Sequence, residues 1–213
     1  GSEMCIRDSK GAIAPSYVAD IVVADDLNLS SISQVYKNGK LVCENGTALF
    51  ECETVDNSKV TNTVHLPKIS ADFFKTDVKD KFDAIELIPE SIITKKVTVS
   101  YSDSLSKVCV IERHHNLGTK GIGFVTNYGI TNGAIATSIG HDSHNVIVIG
   151  DNDSDMALAV NTLGTSGGIA VCSEGKVIAS MTLDIAGLMS VKSADEVTRE
   201  HDNLYSDAKV LNI

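Results

Sequence analysis

The sequence predicts an α+β (mixed α/β) protein in two parts: a small all-β piece over residues 10–56, then a mixed-sheet α/β domain over residues 57–213. Three observations carry this. Apolar residues follow strand-like runs and turns through the first part; the second part holds short apolar runs of buried-strand length; and helical spacing is confined to stretches after Gly150 and Ser193. With 43% hydrophobic and 22% charged residues, the 213-residue chain has the composition of a globular protein rather than a disordered one. Its 18 basic and 28 acidic side chains give a net charge of −10, which repels phosphates and speaks against a nucleic-acid partner.

Residues 1–9 match neither pattern; Gly1-Ser2 resembles a cloning scar and Glu3-Met4-Cys5-Ile6-Arg7-Asp8 translated adapter, so they are set aside as an assembly artefact. Ala19-Asp20-Ile21-Val22-Val23-Ala24 reads as a strand closed by Asp25-Asp26. Ile32-Ser33-Gln34-Val35-Tyr36-Lys37 alternates apolar and polar, Asn38-Gly39 supplies a tight hairpin turn, and Lys40-Leu41-Val42-Cys43 returns before Glu44-Asn45-Gly46 turns again. Two or three such strands bury little apolar surface alone. The polar stretch from Glu51 to about Asn62 reads as a linker.

Beyond it, Ser70-Ala71-Asp72-Phe73-Phe74 reads as one helical turn, and Val97 to Tyr101 with Lys107 to Arg113 as a hairpin around Ser102-Asp103-Ser104. Glycines 118, 121, 123, 129 and 133 read as turn residues; their order is not a dinucleotide fingerprint. Ala134-Ile135-Ala136-Thr137-Ser138-Ile139 and Asn145-Val146-Ile147-Val148-Ile149 read as buried strands. Met156, Ala159, Val160 and Leu163 then share one helical face, preceded by acidic residues that suit a helix N-terminus. Ile169-Ala170-Val171-Cys172 and Val177-Ile178-Ala179 form a hairpin about Glu174-Gly175. A final helix opens with a capping box, Ser193 to Glu196, and carries Val197, Leu204, Ala208 and Leu211 as its stripe, with His201 at one turn.

The five cysteines (Cys5, Cys43, Cys52, Cys109, Cys172) are scattered and form no C-x-x-C, which speaks against a zinc site or redox pair and for unpaired thiols in a reducing cytoplasm. No apolar run approaches the ~18–20 residues of a membrane span, and no signal-peptide pattern opens the sequence. A soluble, cytoplasmic protein without a membrane partner is expected.

Chemistry concentrates in two polar clusters. Glu112-Arg113-His114-His115 follows a buried strand; on a continuing strand the two histidines would face opposite ways and could not serve one site. His141-Asp142-Ser143-His144-Asn145 connects two buried strands, where a rigid sheet can present binding groups. Its two imidazoles and carboxylate could ligate a metal, orient the nitrogens of a substrate, or satisfy backbone groups of a turn. Asp151, Asp153 and Asp155 imitate a calcium loop, but Met156 stands where the glycine belongs and Thr162 where the bidentate Glu belongs.

Several of these motifs together resemble the C-terminal region of bacterial adenine deaminases: Ile111-Glu112-Arg113-His114-His115, Gly133-Ala134-Ile135-Ala136, His141-Asp142-Ser143-His144-Asn145, Gly150-Asp151-Asn152-Asp153-Ser154-Asp155-Met156-Ala157 and Ile185-Ala186-Gly187-Leu188-Met189-Ser190. Gly11-Ala12-Ile13-Ala14-Pro15 with Ala19-Asp20-Ile21-Val22-Val23 resembles the piece that follows the barrel in amidohydrolases, where the chain re-enters a small β-sandwich. The resemblance implies a parent enzyme that converts adenine and water to hypoxanthine and ammonia, using manganese or iron in a (β/α)₈ barrel to activate water. The barrel's H-x-H does not occur in these residues, so residues 10–56 are expected to be a sandwich remnant and the fragment to hold no metal or catalytic residue of its own. Family members continue past the region of Leu211, so both ends are expected to be cut and the exposed edges to drive homo-oligomerisation. In the parent, His141, Asp142 and His144, with Glu112 and His114, are expected to approach the barrel mouth. The alternative expectation is a non-catalytic structural or oligomerisation module.

Overall fold

A computed structural model describes residues 9–212, apart from 28–30, 52, 54, 78–79 and 103–104. The chain divides after Asp56 into two units. The first is a four-stranded antiparallel meander, β1 (Ile21–Ala24), β2 (Ile32–Lys37), β3 (Lys40–Glu44) and β4 (Thr47–Ala48). Asn38 and Gly39 both take positive φ at the β2–β3 turn, as a two-residue hairpin of this handedness requires. Asp20 secures that turn: its carboxylate accepts the Asn38 amide at 2.8 Å and pairs with the ammonium groups of Lys10 and Lys37. Among its described residues none is buried.

The second unit is built on one eight-stranded sheet. Its strands are β5 (Phe82–Leu87), β6 (Thr94–Val99), β7 (Ser106–Ile111), β8 (Lys120–Thr126), β9 (Gly133–Thr137), β10 (Val146–Gly150), β11 (Gly168–Ser173) and β12 (Lys176–Thr182). They lie in the order β12-β11-β9-β10-β7-β8-β5-β6, with β5 and β8 parallel and the other neighbours antiparallel. Helix α1 (Asp153–Thr162) covers one face and α2 (Ala194–Ala208) the other. The period of two makes this possible. Along β11, Ala170 and Cys172 join Met156, Val160 and Leu163 in one core, while Val171 joins Leu204, Ala208 and Leu211 in the second. The helical stripe on α1 is therefore buried throughout, and on α2 the Ser193–Glu196 capping box forms as the sequence predicts, with Val197 half-buried and His201 exposed. The 3₁₀ turn Ala71–Phe74 delivers Phe74 to the α1 core.

Two expectations are corrected. The 97–101 and 107–113 segments do not form a hairpin: β6 pairs with β5, β7 pairs with β8 and β10, and β8 and β5 lie between them. The reason lies in their side chains, since Lys95 and Lys96 suit β6 to a solvated edge. Cys109 and Ile111 suit β7 to the interior. Asp103 and Ser104 of the proposed turn fall outside the described residues, as do 1–8, Cys5 and Cys52. Nor are all five glycines turn residues. Gly118 and Gly129 are, with positive φ, but Gly121 and Gly123 lie within β8 and Gly133 opens β9. At Gly133 a Cβ would stand 2.2 Å from the Cys172 carbonyl oxygen, so its lack of a side chain serves close strand packing.

Candidate functional site

The antiparallel register of β7 on β10 sets Ile111 opposite Val146. Glu112 and Asn145 therefore leave the sheet side by side, and the 112–119 and 138–145 loops emerge at one end of it. β11 starts at the same end, because Ile169 faces Thr137 on β9 and the Ser138 amide donates to the Gly168 carbonyl at 3.0 Å. The expected cluster of Glu112, His114, His141, Asp142 and His144 is thus gathered by three interior strands, though its members do very different things.

Glu112 shapes a turn. Its carboxylate accepts backbone N–H groups from His114 at 2.5 Å, His115 at 2.8 Å and Leu117 at 3.1 Å. The Leu117 amide, then those of His115 and His114, hold the carboxyl below its ordinary range. His114 is not on a strand, since β7 ends at Ile111, so the opposite-face expectation for His114 and His115 does not apply. His114 Nε2 instead lies 3.1 Å from the Ser143 carbonyl, which makes Nε2 the protonated nitrogen in that hydrogen bond.

The 141–145 loop has an outer and an inner half. His141 and Asp142 stand in solvent, their side chains 83% and 86% exposed, with His141 Nδ1 against the Asp142 carboxylate. His144 and Asn145 turn inward; His144 Nδ1 and Asn145 Oδ1 are enclosed and find no hydrogen-bond partner among the described residues. The rings of His141 and His144 are 6.1 Å apart, edge to face. Enclosed polar atoms of this kind cost on the order of 1–3 kcal/mol each when left unmatched.

The residue that the sequence reading passed over is Arg113. It is 2% exposed, and its guanidinium donates to the carbonyl of His144 and, at 2.9 Å, to that of Ala186. Burial lowers its pKa from the ordinary value, yet a guanidinium stays charged. The signal for it was parity: Cys109 and Ile111 point inward, and two residues on Arg113 continues that alternation.

The residues present do not fit a metal pair. Among the described residues no group of three or more His, Cys, Asp or Glu side chains is placed to hold an ion. The acidic run before α1 is likewise committed. Asp151 accepts the Gly133 amide, Asp153 pairs with Lys107, and buried Asp155 accepts the Gly175 amide at 2.8 Å and an Asn152 side-chain N–H at 2.9 Å. Cys109 and Cys172 are packed in the core, where burial pushes both thiols up to about 11.

Residues 86–213 match the family model of the adenine deaminase C-terminal domain. The chain is 39% identical over 216 residues to adenine deaminase 2 of Carboxydothermus hydrogenoformans, covering 95% of this chain and 38% of the relative. It is 42% identical to an adenine deaminase of Clostridium acetobutylicum, over 88% of this chain and 35% of the relative, and 36% identical to one from Dehalococcoides mccartyi, over 91% and 36%. The chain thus spans little more than a third of the length of these curated relatives. With the family model covering more than half of it, the chain belongs to the adenine deaminase C-terminal domain family.

Proposed function

We propose that this chain serves as the C-terminal part of an adenine deaminase, an enzyme that hydrolyses adenine to hypoxanthine and ammonia in cytoplasmic purine metabolism. The observation that carries this reading is the family match over residues 86–213, reinforced by relatives that bear that name. The reading assigns the metal, manganese or iron, and the activation of water to the remainder of the parent. Residues 9–212 then act by presentation: a rigid sheet end holds His141 and Asp142 in solvent, where they can meet the mouth of the catalytic compartment and bind or orient the purine's nitrogens. Glu112 shapes the adjoining 112–117 turn, and His114 braces the His141–Asp142 loop through the Ser143 carbonyl, rather than touching substrate. The unmatched Nδ1 of His144 and Oδ1 of Asn145 are consistent with a loop that completes its hydrogen bonding against the rest of the parent.

Replacing His141 and Asp142 with Ala in a full-length relative tests this; adenine turnover should fall at least tenfold, and unchanged turnover would overturn the role given to the pair. The isolated chain should not release ammonia from adenine, with or without added manganese or iron. A second reading, a structural or self-associating module, draws on the hydrogen-bonded states of Glu112 and His114 and on exposed Leu49 and Phe50 in the first unit. Self-association should then appear as a concentration-dependent sedimentation coefficient, while a compact monomer at high concentration would argue against it.

A further inference from the structure

Among the described residues Arg113 is the one buried basic side chain, and the partners of its guanidinium are carbonyls from two different loops. Nε takes His144 in the 138–145 loop and Nη2 takes Ala186 in the 183–190 loop, 73 residues away in sequence. A buried cation tolerates this only while its donors stay matched, so lifting either loop strands charge on the other. The 183–190 loop is shaped around the same group. Gly187 has φ +69 and a Cβ there would lie 2.6 Å from Arg113 Nη1. Buried Ser138 donates to the Gly187 carbonyl at 2.6 Å and accepts the Gly168 amide at 2.7 Å, so the two loops share a second connection beside the guanidinium. The backbone of the node is pinned too: the His65 amide donates to the Arg113 carbonyl at 2.8 Å and the Ala186 amide to Val60 at 2.6 Å.

We propose that Arg113 is a positioning residue that locks the 138–145 and 183–190 loops into one unit, so that the His141–Asp142 pair holds its place only while both loops are seated. Its consequence for catalysis rests on the reading above that this pair serves the active site; the locking itself does not. Lysine cannot substitute, because a point charge on a flexible stem cannot span two carbonyls as a planar fork does.

Amide hydrogen exchange on the 213-residue chain tests the lock. In R113K, exchange should rise about tenfold or more at His144 and at Ile185, Ala186 and Met189 together, while amides within α1 keep their protection. The His141 and His144 imidazole resonances should shift in the same variant. Loosening of one loop without the other, or a uniform rise that includes α1, would overturn the proposal. Should R113K not fold, G187A approaches from the opposite loop: it should loosen the His144 amide, and an unchanged His144 would be equally decisive against the lock. In a full-length relative that carries Arg at the matching position, the Arg→Lys change should lower kcat/KM for adenine. Coupled loosening of the loops with unaltered turnover would uphold the lock and instead remove the catalytic role given to His141 and Asp142.

Discussion

The two units hold comparable backbone architecture and very different interiors. Both are antiparallel over most of their strands, both use positive-φ Asn-Gly or Glu-Gly turns, and both pin such a turn with a carboxylate, Asp20 at Asn38 and Asp155 at Gly175. Yet no described residue of the first unit is buried, whereas the second closes two hydrophobic cores, one on each face of its sheet. Hydrogen-bonded strands alone do not make a folding unit; a sheet becomes stable when something covers it. In the second unit α1 and α2 do so.

The sharpest way to break this comparison is to separate the units. Residues 57–213 alone should unfold in one cooperative urea transition, and residues 1–56 alone should show none and little amide protection; a cooperative transition in the shorter piece would end the contrast. The next largest effect is in the core. Met156→Ala, at a fully buried position on α1, should cost about 2–5 kcal/mol by urea denaturation, whereas Val22→Ala on half-exposed β1 should stay within about 0.5 kcal/mol. Removing the α1 cap comes third: the Asn152 side chain accepts the Asp155 amide at 2.8 Å, and Asn152→Ala should cost about 1 kcal/mol.

The smallest effect is local and pH-dependent. The folded state holds the Glu112 carboxyl below its ordinary value of 4.5, so the stability it lends the 112–117 turn is complete above that value and is lost as pH falls through the lower folded one. An amide chemical-shift titration should show the Leu117, His115 and His114 signals moving together below pH 4.5, and Glu112→Gln should abolish that step without altering the α1 signals. Signals of α1 moving in parallel would mean that the turn is not an independent element.

Local rules were legible where the physics is local. The Asn38-Gly39 turn, the Met156-Ala159-Val160-Leu163 stripe and the Ser193–Glu196 box each follow from neighbours in sequence, and each forms. β5 and β8 are not legible as strands in the sequence. Gly121 and Gly123 masked β8, and β5 leaves Ile85 on its exposed side, which blurs the alternation. The candidate loop was legible as a dense polar connection between buried strands, but the division of labour within it was not. Nothing in the order of residues says that Glu112 spends its carboxylate on three amides or that Arg113 turns inward to hold His144 and Ala186.

By itself the sequence determined the α+β class, the Asn38-Gly39 and Glu174-Gly175 turns, the Ser193–Glu196 cap, the helical faces and the resemblance to adenine deaminases, since each depends on residue type at short spacing. Only the tertiary structure decided that β6 and β7 lie apart, that two loops far apart in sequence meet at one guanidinium, and that His141 and Asp142 face solvent while His144 does not. Those outcomes rest on which strands pack as neighbours and which polar atoms are left to be matched when water is removed. Burial and long-range pairing set both, and they exist only once the chain has closed on itself.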